Sequence, residues 1–126
     1  MAGTVQISES ITVKDGTVTQ LAIPGITSTY TQSTNRFYYI VKNITTTEAS
    51  VDFSTLGIAT NGIMQLENMD TTNFVQWGTT SGDYCGKLDP NSVASSYARL
   101  KLNSGKTLYL KADTAACNVR ILMCSN

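Results

Sequence analysis

Apolar and polar residues alternate along this chain from end to end, and no stretch of a dozen residues carries apolar groups at helical spacing. A period of two puts successive side chains on opposite faces of a strand, so the pattern commits the chain to sheets with one buried face. Composition points the same way. The 126 residues include 19 threonines and 12 serines, and the β-branched threonine side chain suits a half-buried pleated surface. At 13.6 kDa the length is that of one ordinary core. A single domain over residues 1–126 is expected.

Turn signals divide the alternation into segments. Val5, Ile7, Ile11 and Val13 share one parity, and Asp15-Gly16 closes that segment as a turn. Val18 to Ile23 forms a second run, ended by Pro24-Gly25, a dipeptide suited to the centre of a type II turn. These two runs predict an N-terminal hairpin. Thr27 to Asn35 holds almost no aliphatic side chains and reads as an exposed strand or long loop. Arg36 to Lys42 carries bulky groups at both parities, which fits a central strand buried on both faces or an interface strand. Further strands are expected at Ala49–Phe53, Gly62–Glu67, Asn73–Trp77, Val93–Leu102, Thr107–Lys111 and Cys117–Cys124. Asn68 to Thr72 reads as a tight turn, Gly78 to Gly86 as a loop, Lys87 to Asn91 as a turn, and Ala112 to Ala116 as a helical turn. Eight or nine strands with a turn about every ten residues predict one antiparallel β-sandwich, jelly-roll-like.

Several functions are disfavoured by what is missing. Nine basic and nine acidic residues cancel, which argues against a nucleic-acid binder that relies on phosphate neutralisation. There is no histidine, so the commonest general base and metal ligand are absent, along with the Ser-His and Cys-His nucleophile pairs. Cys85, Cys117 and Cys124 have no metal or redox spacing. Cys117 and Cys124, seven apart in one strand, fall roughly 23 Å apart on opposite faces, and free thiols are expected. The start of the chain has no basic, apolar leader and no 18-residue apolar run occurs, so synthesis in a cytosol without a membrane span is expected.

Candidate sites are few. Asp83, Asp89 and Asn91 offer oxygen ligands, but their spacing matches no EF-hand and reads as a solvated loop. Glu48, Asp52, Glu67 and Asp70 supply carboxylates without a pairing that faces one cleft. Trp77, Tyr84 and Tyr97 offer rings for stacking a sugar, with Asn73, Asp83 and Asn91 for its hydroxyls; a lone Trp at a strand end also serves as a core plug. Arg36 and Lys42 flank Phe37, Tyr38 and Tyr39, an arrangement that stacks bases in single-strand binders but here reads as a core strand. Met64, Met69 and Met123 are read as gap-fillers. The segment Ala2 to Val13 is an amphipathic strand that either joins the sandwich as an edge or docks on a neighbour. Its residues Val5, Ile7, Ile11 and Val13, with Trp77 and Tyr84, form the candidate interaction surface. No catalytic residue, metal or cofactor is expected.

In the C-terminal half, the order Asn68-Met69-Asp70 through Asn73 to Gly78, then Gly86-Lys87-Leu88-Asp89-Pro90, then Leu100-Lys101-Leu102, and finally Leu108-Tyr109-Leu110-Lys111-Ala112 through Cys117 to Leu122 resembles small β-sandwich virion proteins of tailed bacteriophages. Those chains carry a Leu-x-Asn-x-Asp strand and turn, a strand ending in an aromatic and Gly, a Leu-x-Pro-Gly turn and a Leu-Tyr-x-Lys-Ala segment. The resemblance covers about residues 60 to 124, and Asp89-Pro90-Asn91 departs from it in lacking Gly after Pro. It implies a non-enzymatic structural role in the virion: a capsid decoration or cement protein that oligomerises and binds the major capsid protein, or a head-tail neck or tail accessory protein. A glycan-binding β-sandwich module is the alternative from another class.

Overall fold

The computed structural model describes residues 3–32 and 36–126. The fold is all-β, with ten strands and two short 3-10 helices among the described residues and three antiparallel sheets. The chain divides after residue 35 into two compact units.

The first unit is a hairpin of β1 (Thr4–Asp15) and β2 (Val18–Thr31), which form a two-stranded sheet of their own. Gly16, at φ 58°, sits in the connection as the residue that accepts a left-handed backbone cheaply. At the root Gln32 N–H donates to Gly3 O at 2.8 Å. Twelve residues in β1 make a ribbon about 40 Å long. The Pro24-Gly25 turn expected from sequence is absent, because both residues lie inside β2. They occupy an irregularity where the register steps from Glu9↔Ile26 to Ile11↔Ile23. A two-stranded ribbon leaves one edge of each strand unpaired, so a proline costs it little there. β2 therefore runs on and pairs Thr27, Thr29 and Thr31 with Ser8, Gln6 and Thr4, which makes Thr27 to Thr31 strand; residues 33–35 of that expected segment lie outside the described residues. Ala2 does too. Since β1 pairs with β2 alone, it is not an edge strand of either larger sheet.

The second unit holds β3 (Phe37–Ile44), β4 (Ala49–Val51), β5 (Asn61–Asn68), β6 (Val75–Gly78), β7 (Gly86–Leu88), β8 (Tyr97–Lys101), β9 (Leu108–Ala112) and β10 (Cys117–Ser125). Its pairing is nested. The first strand pairs with the last, β3 with β10, then β4 with β9, β5 with β8 and β6 with β7. Two further ladders, β10 with β5 and β9 with β6, complete four-stranded sheets ordered β3-β10-β5-β8 and β4-β9-β6-β7.

Alternation explains how these sheets hold together. Ile44, Met64, Leu66, Val119, Ile121 and Met123 point inward from one sheet and join Val51, Val75, Leu88, Leu108 and Leu110 from the other in a single buried cluster. Met64 and Met123 are direct cross-strand partners and fully buried, in keeping with a gap-filling role. Phe53, in the 3-10 turn Phe53–Leu56, plugs the cluster and meets Tyr38 edge-on, ring centroids 6.1 Å apart. Burying one such aliphatic or aromatic side chain contributes about 1.5–3 kcal/mol.

Several sequence expectations change. Phe37 to Lys42 lies in an edge strand rather than at the heart of the core: Tyr38 and Ile40 pack inward while Phe37, Tyr39 and Val41 are exposed. The Gly78–Gly86 loop folds over a Thr80↔Asp83 bridge, and Lys87-Leu88 belongs to β7 rather than to a turn. Val93 stays exposed, and β8 starts only at Tyr97 after the short turn Ala94–Ser96. Ala112 ends β9, and bends rather than a helical turn lead to Cys117.

Candidate interaction surfaces

On the hairpin the register decides which side chains share a face. Ile11 lies opposite Ile23, Val13 opposite Leu21 and Val5 opposite Tyr30, and directly opposed residues in an antiparallel pair stand on the same side. The other side carries hydroxyls, with Ser8 and Thr27 hydrogen-bonded at 2.8 Å. The ribbon is thus amphipathic. Near the root Val5 and Ile7 are half-buried. Toward the tip Ile11, Val13, Leu21, Ile23 and, beside the turn, Val18 are 43–60% exposed.

A second apolar surface lies on the outside of the β3-β10-β5-β8 sheet. Phe37, Tyr39 and Val41 stand opposite Cys124, Leu122 and Arg120, and Phe37 is 70% exposed. Arg120 and Glu67 form an ion pair at 2.9 Å, beyond which Tyr97 is exposed at the opposite edge. The bulky residues at both parities of this segment are the sequence signal for this surface; the sequence marks Tyr97 only as a ring for stacking a sugar.

The proposed sugar-stacking face does not assemble. Trp77 stands opposite Leu110 and packs against the core cluster, and its indole lies so close over Gly86 that a Cβ there would overlap the ring. Tyr97 belongs to the other sheet. Tyr84 donates its hydroxyl to Glu48, whose carboxylate also accepts from Ser81 Oγ at 2.5 Å and from Gly82 N–H at 2.8 Å. The Ser81, Tyr84 and Gly82 hydrogen bonds, with Lys111 nearby, hold the Glu48 carboxyl below the usual range. The same bond to Glu48, with burial, pushes the Tyr84 hydroxyl up to about 12. This clasp fixes the 78–86 loop.

Three further carboxylates are also engaged in the fold. Asp52 caps the 3-10 turn through Ser54 N–H at 3.0 Å and Ser54 Oγ at 2.6 Å. Asp70 accepts from Asn73 N–H at 2.6 Å and Thr72 N–H at 2.8 Å, which lowers its pKa. Asp89 takes Ser95 Oγ at 2.5 Å and Lys87 Nζ at 3.1 Å, and both lower its pKa. Lys87 also sits 4.4 Å from the centre of the Phe74 ring. Among the described residues no group of three or more Cys, Asp or Glu converges as a metal site.

The Leu66-x-Asn68-x-Asp70 segment marks a joint rather than a reacting centre. Leu66 is in the core, Asp70 caps the turn, and the fully buried Asn68 amide donates to Asn73 O at 2.8 Å, Asp89 O at 3.1 Å and Leu88 O at 3.3 Å. Its own oxygen accepts from Asp70 N–H at 3.0 Å. All three cysteines are free, and burial above all pushes the Cys117 thiol up to about 11. No helix among the described residues is long and apolar enough to cross a membrane. Compared with protein-family models, curated proteins and solved structures, the chain matches none.

Proposed function

We propose that this chain is a non-enzymatic structural protein of a bacteriophage virion, a capsid decoration or cement protein that binds the major capsid protein and further copies of itself. One observation carries the adhesive role: a long amphipathic hairpin, separate from both larger sheets, presents a row of exposed apolar side chains toward its tip. A two-stranded ribbon is marginal in water unless its apolar face is covered, so a partner surface is the natural occupant. The virion context rests on the resemblance over residues 60 to 124.

The nested strand order supports reading the second unit as a β-sandwich of jelly-roll type. Eight strands paired first with last, second with seventh, third with sixth and fourth with fifth are what results when a long antiparallel hairpin is rolled into two sheets, an architecture common among capsid and lectin domains. A glycan-binding role is the weaker reading, because Trp77 packs against the core and Tyr84 is spent on Glu48. Low charge suits the structural role, since copies at high local density repel one another little. Repetition on a symmetric lattice multiplies a modest contact into avidity.

Quantitative mass spectrometry of purified particles tests the assignment. Hundreds of copies per particle support capsid decoration. Six or twelve copies move the protein to the neck or tail, and its absence from particles overturns the virion reading.

A further inference from the structure

We infer that residues 79–85 form a strap that is fastened to the eight-stranded unit by the single carboxylate of Glu48 and opens as a piece, without unfolding of the unit, when that carboxylate is protonated. The inference depends neither on the virion setting nor on self-association. The strap joins β6 to β7. Asp83 N–H donates to Thr80 O at 3.1 Å, and Cys85 N–H returns to Trp77 O at 3.0 Å. Those bonds shape the strap but tie it to nothing beyond its own strands. Among the described residues, every hydrogen bond from 79–85 to another element ends on Glu48: Ser81 Oγ on Oε1 at 2.5 Å, and Gly82 N–H at 2.8 Å and the Tyr84 hydroxyl on Oε2. Glu48 comes from the connection between β3 and β4, so donors from four consecutive positions converge on one side chain from elsewhere in the unit.

Two glycines form the seat. A Cβ at Gly78 would overlap Asp83 O, and one at Gly86 would overlap the Trp77 indole, so the strap lies directly against the end of β6 and covers the buried Gly78. Among the described residues, the buried cluster takes no side chain from 79–85. Opening therefore breaks polar contacts but removes nothing from the core, which is the condition for a local transition separate from global unfolding.

The ionised carboxylate accepts from all three donors at once, and these bonds are charge-assisted. A proton on Glu48 occupies one oxygen and removes the charge, which weakens the three bonds together. The titratable groups facing Glu48 are Tyr84 from the strap and Lys111 from β9, and both hold its carboxyl below the ordinary 4.5; Asp83 is the strap's own second carboxyl. The strap is therefore closed at neutral pH and opens as pH falls through the lowered folded value. Tyr84, raised to about 12, remains a donor throughout that range.

The test is an acid titration of the full-length protein by NMR from about pH 7 to about pH 3, following the Gly82 amide and Tyr84 ring for the strap and the Met64 and Met123 methyls for the core. The expected result is one strap transition with its midpoint below 4.5 and unchanged methyl signals. Glu48→Gln, with native methyl signals, should show the open-strap signals already at neutral pH, and comparison with it cancels whatever Asp83 contributes. Tyr84→Phe removes one donor and leaves the carboxyl to titrate, so its midpoint should move up toward 4.5. Strap and methyl signals that change together overturn the inference, as does a strap without an acid transition. A folded Glu48→Gln variant that keeps the closed-strap signals at neutral pH overturns it too, and so does a Tyr84→Phe midpoint equal to that of the wild type.

Discussion

Asn68 has no apolar surface to bury, yet it is fully enclosed, because its amide ties the end of β5 to β6 and β7 through three carbonyls. Asn68→Ala leaves those carbonyls without a buried donor and is expected to cost about 1–3 kcal/mol, readable as a lowered midpoint in urea. Gly86 is fixed by a different force. A methyl group there overlaps the Trp77 indole, so Gly86→Ala should destabilise by about 1–3 kcal/mol and shift Trp77 emission to the red. Glu48 titrates lower when folded than its ordinary 4.5. Its contribution to holding the loop is therefore complete above pH 4.5 and is lost as pH falls through the depressed folded value. Tyr84 works in the opposite sense. With its pKa raised from 10.0 to about 12, it contributes fully below pH 10 and the contribution fades as pH rises toward 12. The protection of the Gly82 amide against exchange, relative to an unstructured peptide at the same pH, should accordingly be high between these limits and fall outside them in the wild type. Glu48→Gln should lower it at neutral pH.

Among elements, the hairpin and the edge strand β3 show how far alternation can be read. Period two and the Asp15-Gly16 turn were enough to place β1 against β2, and the parity of Val5, Ile7, Ile11 and Val13 was enough to put them on one face. Alternation did not reveal that this face would remain exposed at its tip, since burial depends on what lies opposite in space. Phe37 to Val41 failed for the same reason. Bulky residues at both parities fit a doubly covered central strand, but the nested order leaves β3 at an edge with one side open. Pro24-Gly25 misled because a turn dipeptide inside a two-stranded ribbon can be absorbed as an irregularity when Thr27 to Thr31 still find partners. Among the described residues, those of the buried cluster all belong to the second unit. A chain beginning at Arg36 should therefore keep a cooperative thermal transition and the Trp77 emission of the full protein; loss of either would show that the body depends on its hairpin.

For the whole molecule, stability resides in the layer between the two four-stranded sheets. Met123→Ala removes a fully buried side chain that meets Met64 across the ladder and should cost about 2–5 kcal/mol. In a body of this size each kcal/mol corresponds to a fall of about 4–8 °C in Tm, which calorimetry reads directly. Tyr39→Asp, on the exposed face, should leave the Tm of the isolated monomer nearly unchanged, so the two substitutions separate core stability from assembly. The sequence by itself determined the all-β class and the inward parity of strands such as Gly62–Glu67 and Cys117–Cys124, because period two and turn chemistry are local and act through adjacent residues. Only the tertiary structure decided the nested strand order, the edge position of β3, the engagement of Glu48 and Asn68, and the pairing of β1 and β2 as a sheet of their own. Each of those depends on contacts between residues distant in sequence, and no local pattern encodes which partner a strand or a polar side chain will meet.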